Sequence, residues 1–262
     1  MGSAREVVVE RDGRVAVVTL DRPGQLNAIG HELLRQLDRA LADVEADDSV
    51  GAMVVAGAGR AFSAGADIAE FAALGDAGAF RAWIDRFSRT YDRLERVPCP
   101  TIAAVDGPAL GGGFELVLAC DLRIASTRAR FGLPEITLGL LPGGGGTQRL
   151  ARQMPLALAK EMILTGEPID ADAAKRVGIV NDVVGEGEAL DVARARAQRL
   201  ASLPREALAA AKQLLRDGVA LPLESAIALE RETVAHLFAS RDAREGLRAF
   251  LEKRPPAFGR QP

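Results

Sequence analysis

An α/β core followed by a helical C-terminal region is the fold class predicted by three features of the 262-residue chain. Short apolar or period-two runs alternate with stretches of helical periodicity as far as about residue 200. Beyond Leu203 the strand signal stops and only helical patterns follow. The composition, 48% hydrophobic and 26% charged, is that of a globular protein long enough for one large core or a main domain with an appended piece.

In chain order, apolar runs predict strands at Val7–Val9, Val15–Leu20, Ala52–Ala56, Thr101–Val105 and Leu122–Ala125, with a later one near Ile179–Val184. Between them, His31–Glu45 places Leu33, Leu34, Leu37 and Leu41 on one helical face. The same periodicity recurs in Phe80–Val97, Pro155–Leu164, Asp170–Val177 and Ala189–Leu203. The last third reads as helices at Pro204–Asp217, Pro222–Ser240 and Asp242–Lys253, punctuated by Pro204, Gly218 and Pro222. Such an appendage seldom buries its own apolar stripe, so it is expected to pack on the core or on another subunit.

Several function classes are disfavoured at once. A formal net charge of −3 supplies no field for nucleic acid. Cys99 and Cys120 are too few for a disulfide scaffold and lack metal-ligand spacing, and His31 and His236 both fall in helical patterns. No signal peptide or membrane-spanning run is visible. Met1-Gly2-Ser3 resembles a myristoylation start, but Glu6 stands where Ser or Thr is needed. A soluble cytoplasmic protein without a metal is the expectation.

Two carboxylates carry the chemical signal. Glu115 sits in Leu110-Gly-Gly-Gly-Phe-Glu-Leu-Val-Leu-Ala-Cys-Asp121, and Glu135 in Phe131-Gly-Leu-Pro-Glu-Ile-Thr-Leu-Gly139. A carboxylate among apolar residues bears a desolvation cost, so it is either paired or kept for chemistry. Two such groups close together would polarise one water and exchange protons near neutral pH. The alternative is an internal ion pair with Arg123 or Arg149.

Three glycine-rich turns surround these acids. Ala61-Phe-Ser-Ala-Gly-Ala-Asp-Ile68 follows a strand and would let a ligand approach the Ala66 N–H, although those residues taken alone favour a plain tight turn. Gly111-Gly112-Gly113 leads into the helix bearing Glu115 and leaves N–H groups free at its positive end. Pro142-Gly-Gly-Gly-Gly-Thr-Gln-Arg149 opens another helix, or is a flexible loop. The dinucleotide fingerprint fails because Leu116 occupies its last glycine position, and no Gly-Lys-Ser/Thr follows any of the turns. Ser63 and Thr147 lack a local base, which argues against acyl-enzyme chemistry. What remains is a pair of backbone donors, Ala66 and Gly112, that would stabilise an oxyanion beside two glutamates: proton chemistry next to a carbonyl, with no metal or redox cofactor.

These segments resemble the enoyl-CoA hydratase (crotonase) superfamily over essentially the whole chain. The likeness begins at Arg22-Pro23 and Asn27-Ala28 and runs through Phe62–Asp67, Gly107–Glu115, Phe131–Glu135 and Pro142–Arg149 to Phe250–Arg254. It implies a crotonase-like spiral of ββα repeats over residues 1–200 and a C-terminal helical trimerisation region over 201–262, the trimers often pairing into hexamers. It implies an acyl-CoA thioester substrate, coenzyme A being part of the substrate rather than a cofactor. By position, Ala66 and Gly112 match the oxyanion-hole donors, and Glu115 and Glu135 the paired acid/base glutamates of true hydratases. Gly143 matches a glycine close to those carboxylates. Ala28, Ala64, Asp67 and Ile68 match residues lining the CoA site, and Phe250 and Lys253 match residues that approach the CoA of a neighbouring subunit. The implied reaction is syn addition of water to a trans-2-enoyl-CoA, giving a (3S)-3-hydroxyacyl-CoA. The rivals are an enoyl-CoA isomerase, which needs one carboxylate and a dry pocket, and a non-catalytic acyl-CoA-binding subunit. The C-terminal third also resembles bacterial hydratases that act on a dehydroadipyl-CoA, and acyl chain length is expected to depend on Leu74–Val97.

Overall fold

The valine-rich segments Val7–Asp12 (β1) and Val15–Leu20 (β2) pair antiparallel, with Val7 opposite Leu20. Every later strand of this sheet runs parallel: Ala52–Gly57 (β3) beside β2, then Thr101–Val105 (β4), Leu122–Ser126 (β6) and Asp182–Val184 (β9). Pro108–Leu110 (β5), Arg130–Gly132 (β7) and Ile169–Asp170 (β8) form a second, three-stranded sheet. This is the computed structural model of the chain, and it describes residues 5–259, leaving the Met1-Gly2-Ser3 start outside the described residues.

Strands β2, β3 and β4 are apolar at almost every position because the large sheet is covered on both faces. On one face Ala16, Val18, Met53, Val55 and Ala103 meet helix α1 (His31–Ala46) and aromatic residues of α3 (Ala77–Arg96); α2 is the short Ile68–Ala72. Leu33, Leu34, Leu37 and Leu41 of α1 are fully buried there, each contributing about 1.5–3 kcal/mol of apolar burial. On the opposite face Val15, Val17, Val54, Ile102 and Ile124 meet Ala189, Ala193, Ala197 and Ala201, the small-residue stripe of α8 (Ala189–Ala201). That spacing of four places all four methyl groups on one side and lets the helix lie close.

The remaining helices are α4 (Gly112–Leu118), α5 (Gly146–Gln153), α6 (Leu156–Thr165), α7 (Ala171–Arg176), α9 (Arg205–Gly218), α10 (Leu223–Phe238) and α11 (Arg241–Leu251). Lys212 of α9 bonds the core through Asp121 at 2.7 Å and the Cys99 carbonyl at 3.2 Å. Arg123, 7% exposed, donates to the carbonyls of Val117, Leu118, Cys120 and Ile179, so a buried cation closes the C-terminal end of α4.

The differences from the sequence reading are local. The strand expected from Ile179 begins at Asp182, because the amides of Ile179 and Val180 are taken by the Ala174 carbonyl in the turn after α7. Helix α3 starts three residues early, where Asp76 caps the Ala79 N–H. Strands β5, β7 and β8 are too short to show a period, and long-range pairing alone defines them.

Candidate active site

The turns that follow parallel strands β3 and β4 lie side by side. Phe62 and Ser63 amides donate to the Pro108 carbonyl, and the Leu110 amide returns a bond of 2.9 Å to the Ser63 carbonyl. Buried Asn27 holds the first turn from behind, its Nδ2 within 2.9 Å of the Ala58 and Ala61 carbonyls. Gly65 adopts φ +102°, a conformation open to glycine, and an added Cβ would stand 2.8 Å from the Leu110 carbonyl. The outcome is that Ala66 and Gly112, from two different turns, line one cavity of about 130 Å³. Among the described residues neither N–H donates to a protein acceptor, which leaves both available to a ligand.

Glu115 stands on the first turn of α4 and is only 2% exposed. Its Oε1 accepts from the amides of Gly144 at 2.8 Å and Gly146 at 2.7 Å. Glu135 belongs to the 3-10 turn Pro134–Leu138, and its buried Oε2 has no hydrogen-bond partner among the described residues. Both carboxylates line the cavity with Ala66 and Gly112. Burial pushes the Glu115 carboxyl up to about 7, the Gly146 amide opposing the rise and Glu135 adding to it. Glu135 is raised as well, again by burial first. Among the described residues neither acid is paired with arginine: Arg123 is spent on carbonyls, and Arg149 bonds Asp92 and Glu95.

Helix α3 roofs the cavity with Phe80, Trp83, Ile84 and Phe87, one helical face, joined by Phe71 of α2. Phe87 stacks on Trp83 with ring centroids 4.7 Å apart. Tyr91, one turn further on, is fully buried and donates its hydroxyl to the Gly112 carbonyl at 2.7 Å. The far wall carries Leu138, Leu140 and Leu141. The stretch 74–97 therefore supplies Phe80, Trp83, Ile84 and Phe87 to the apolar lining.

Of the other residues singled out in the sequence, Ala64, Ile68 and Gly143 line the cavity. Gly144 and Gly146, rather than Gly143, hold Glu115. Ala28, Asp67, Phe250 and Lys253 are not part of the lining. Ala28 gives its carbonyl to Arg22, and Asp67 is ion-paired with Arg22 at 3.2 Å while capping α2. Phe250 is 82% exposed near the end of α11, and Lys253 follows that helix. Tyr91 and Arg149 were not singled out as site residues; the only sequence signal for Tyr91 is its place on the apolar stripe of α3. Among the described residues no group of three or more His, Cys, Asp or Glu could hold a metal ion, and no helix is long and apolar enough to cross a membrane.

The profile of the enoyl-CoA hydratase/isomerase family matches residues 10–261. The 2,3-dehydroadipyl-CoA hydratase of Escherichia coli is 43% identical over 253 residues, covering 97% of this chain and 98% of that one. The short-chain-enoyl-CoA hydratase of Clostridium acetobutylicum is 41% identical over 249 residues, covering 95% of each. The crystal structure of an enoyl-CoA hydratase from Bacillus anthracis superposes with a TM-score of 0.94 at 36% identity, covering 97% of this chain and 99% of that one. The crotonase-like fold expected from the motifs is the fold observed.

Proposed function

The chain belongs to the enoyl-CoA hydratase/isomerase family, and from that premise we propose that it hydrates trans-2-enoyl-CoA thioesters in acyl-CoA degradation, using Glu115 and Glu135 as its acid/base pair. One observation carries the assignment of roles. Glu115 Oε1 is held by two amide hydrogens while Glu135 Oε2 has no partner, and both acids face a cavity that also receives two free backbone N–H groups.

The thioester oxygen sits between the N–H groups of Ala66 and Gly112, which stabilise the enolate that forms when C3 is attacked, by about 3–4 kcal/mol per donor. Water is held between the two carboxyl groups. Two amide donors favour the anion of Glu115, so it takes the proton as the water oxygen bonds to C3. The unpartnered oxygen of Glu135 carries the proton delivered to C2, on the same face, which gives syn addition and a (3S)-3-hydroxyacyl-CoA. Two raised carboxyls sharing one site suit one proton between them near neutral pH. No cofactor beyond the coenzyme A of the substrate enters this scheme.

Steady-state hydration of crotonyl-CoA tests the roles. Glu115→Gln and Glu135→Gln should each lose about 10²–10⁴-fold in kcat, and near wild-type turnover in either removes its assignment. Labelled solvent oxygen should appear in the product; an isomerase takes up none. A panel of enoyl-CoA esters, one with a terminal carboxylate, identifies the preferred acyl group.

We further assign residues 201–262 to self-association as a homotrimer or a hexamer of two trimers, with Phe250 and Lys253 approaching the CoA of a neighbouring subunit and Ala28 and Asp67 bordering the CoA path outside the cavity. Support comes from the apolar side chains that α9–α11 leave in solvent, among them Leu215 at 74%, Val219 at 81% and Leu251 at 81% exposure. A cytoplasmic location, with no nucleic-acid or membrane partner, completes the reading; the net charge of −3 is in keeping with it.

A further inference from the structure

We propose that Arg149 is a positioning residue for this reaction: its guanidinium pins the 142–146 turn so that two main-chain N–H groups stay aimed at Glu115. The inference rests on the reading of Glu115 as the base. Arg149 itself is not part of the cavity lining, so it acts only through the turn and through space.

The side chain is 11% exposed and its whole planar fork is engaged. Nη1 donates to the Gly144 carbonyl at 2.7 Å; Nε and Nη2 donate to Glu95 Oε2 at 3.0 and 2.8 Å; Nη2 also reaches Asp92 Oδ1 at 2.7 Å. Gly144 thus has its carbonyl fixed by Arg149 and its N–H bonded to Glu115 Oε1 at 2.8 Å. A run of four glycines supplies no side chain to hold these peptides, so the restraint comes from outside the run. Ser88 Oγ donates to the Gly143 carbonyl at 2.8 Å and fixes the peptide that carries the Gly144 N–H, while Arg149 fixes the next one, and α3 anchors Arg149 through Asp92 and Glu95.

The charged and titratable groups around this relay are few. Glu115 is faced by Glu135 from the 3-10 turn, by the Tyr91 hydroxyl from α3 and by Arg149 from α5. Arg149 is faced by Asp92 and Glu95, with Arg123, Arg152, Arg216 and the Lys212–Asp121 ion pair along the same outer groove. Because the two acids of α3 partly neutralise Arg149, the positive charge felt by Glu115 depends on them.

The test is the pH dependence of kcat/KM for crotonyl-CoA hydration in wild type, Arg149→Met, Arg149→Lys and Glu95→Gln. Loss of the cation in Arg149→Met should move the acid limb about one unit upward, which is a roughly tenfold loss on that limb. Arg149→Lys keeps the charge and should return the limb most of the way, while kcat stays low because an ammonium cannot bridge Gly144 and Glu95 as a fork does. Glu95→Gln should move the limb the other way, to lower pH. An acid limb unmoved in Arg149→Met and in Glu95→Gln would show a merely structural residue and overturn the proposal. Should Arg149→Met not fold, Glu95→Gln decides alone: a limb left in place there overturns the proposal. The ¹³C carboxyl signal of Glu115, identified by its absence in Glu115→Gln, gives the same shifts without turnover; a signal that titrates in Glu95→Gln as it does in the wild type is equally decisive against the proposal. Absence of crotonyl-CoA hydration by the wild type at any pH, by contrast, tells against the hydratase reading and leaves the carboxyl titration to judge Arg149.

Discussion

Glu115 holds function and stability in opposition. Its carboxyl is shifted from 4.5 to about 7 by burial, so between those values the folded chain binds a proton that the unfolded chain has released. Stability contributed by this group is therefore present at low pH and lost as pH rises through the folded value. On about 1.4 kcal/mol per unit, the ionised carboxylate costs the fold about 3 kcal/mol above neutrality. Glu115→Gln removes that charge, and its amide oxygen can still accept from Gly144 and Gly146. It should therefore melt higher than wild type at pH 8, with the gain shrinking to nothing below pH 5, in parallel thermal denaturation series. A melting difference that ignores pH would mean that the carboxyl is not the source. The trade fits a site kept for chemistry at a cost in stability.

Among the elements, α4 shows how tightly the site is built. A Cβ on Gly113 would stand 2.5 Å from the Ser63 carbonyl, a backbone atom with no room to yield, whereas one on Gly112 meets the ring edge of Phe87. Gly113→Ala should cost about 1–3 kcal/mol of stability by overpacking. Gly112→Ala should melt closer to wild type yet turn over crotonyl-CoA more slowly, since the ring can shift only by moving the site roof; the reverse order of stabilities would discredit this packing. The same elements show what is legible in a sequence. β2 and β4 run from Val15 to Leu20 and from Thr101 to Val105, the same bounds read from apolar runs, because a strand buried on both faces announces itself by composition. Glu115 and Glu135 stand out likewise, as carboxylates where the neighbours are apolar, and both line the cavity. β5 and β7 leave no such trace, having three residues each and existing only through pairing with one another and, for β7, with β8. The Tyr91 bond to Gly112 and the Arg149 ion pairs with Asp92 and Glu95 depend on how α3 crosses α4 and α5, a long-range packing outcome that no local pattern encodes.

For the whole molecule, the apolar side chains left in solvent beyond Leu203 predict that the chain does not work alone. Sedimentation of the wild type should give three or six chains per particle, and Leu215→Glu with Val219→Glu should give smaller ones; a monomeric wild type would remove the assignment of residues 201–262 to assembly. The other side of the sheet carries a quieter constraint. A Cβ on Gly51 would meet the Ala201 backbone at 2.8 Å, and the four alanines of α8 are all but inaccessible against strands whose far ends deliver Ala66 and Gly112. The helix works as a shim of fixed thickness. Any bulkier side chain there would tilt β3 and β4 and misalign two amide hydrogens it never touches. Sequence drift in this enzyme is thus restricted on its back wall as well as around its substrate, and random mutagenesis for lost activity should collect hits there.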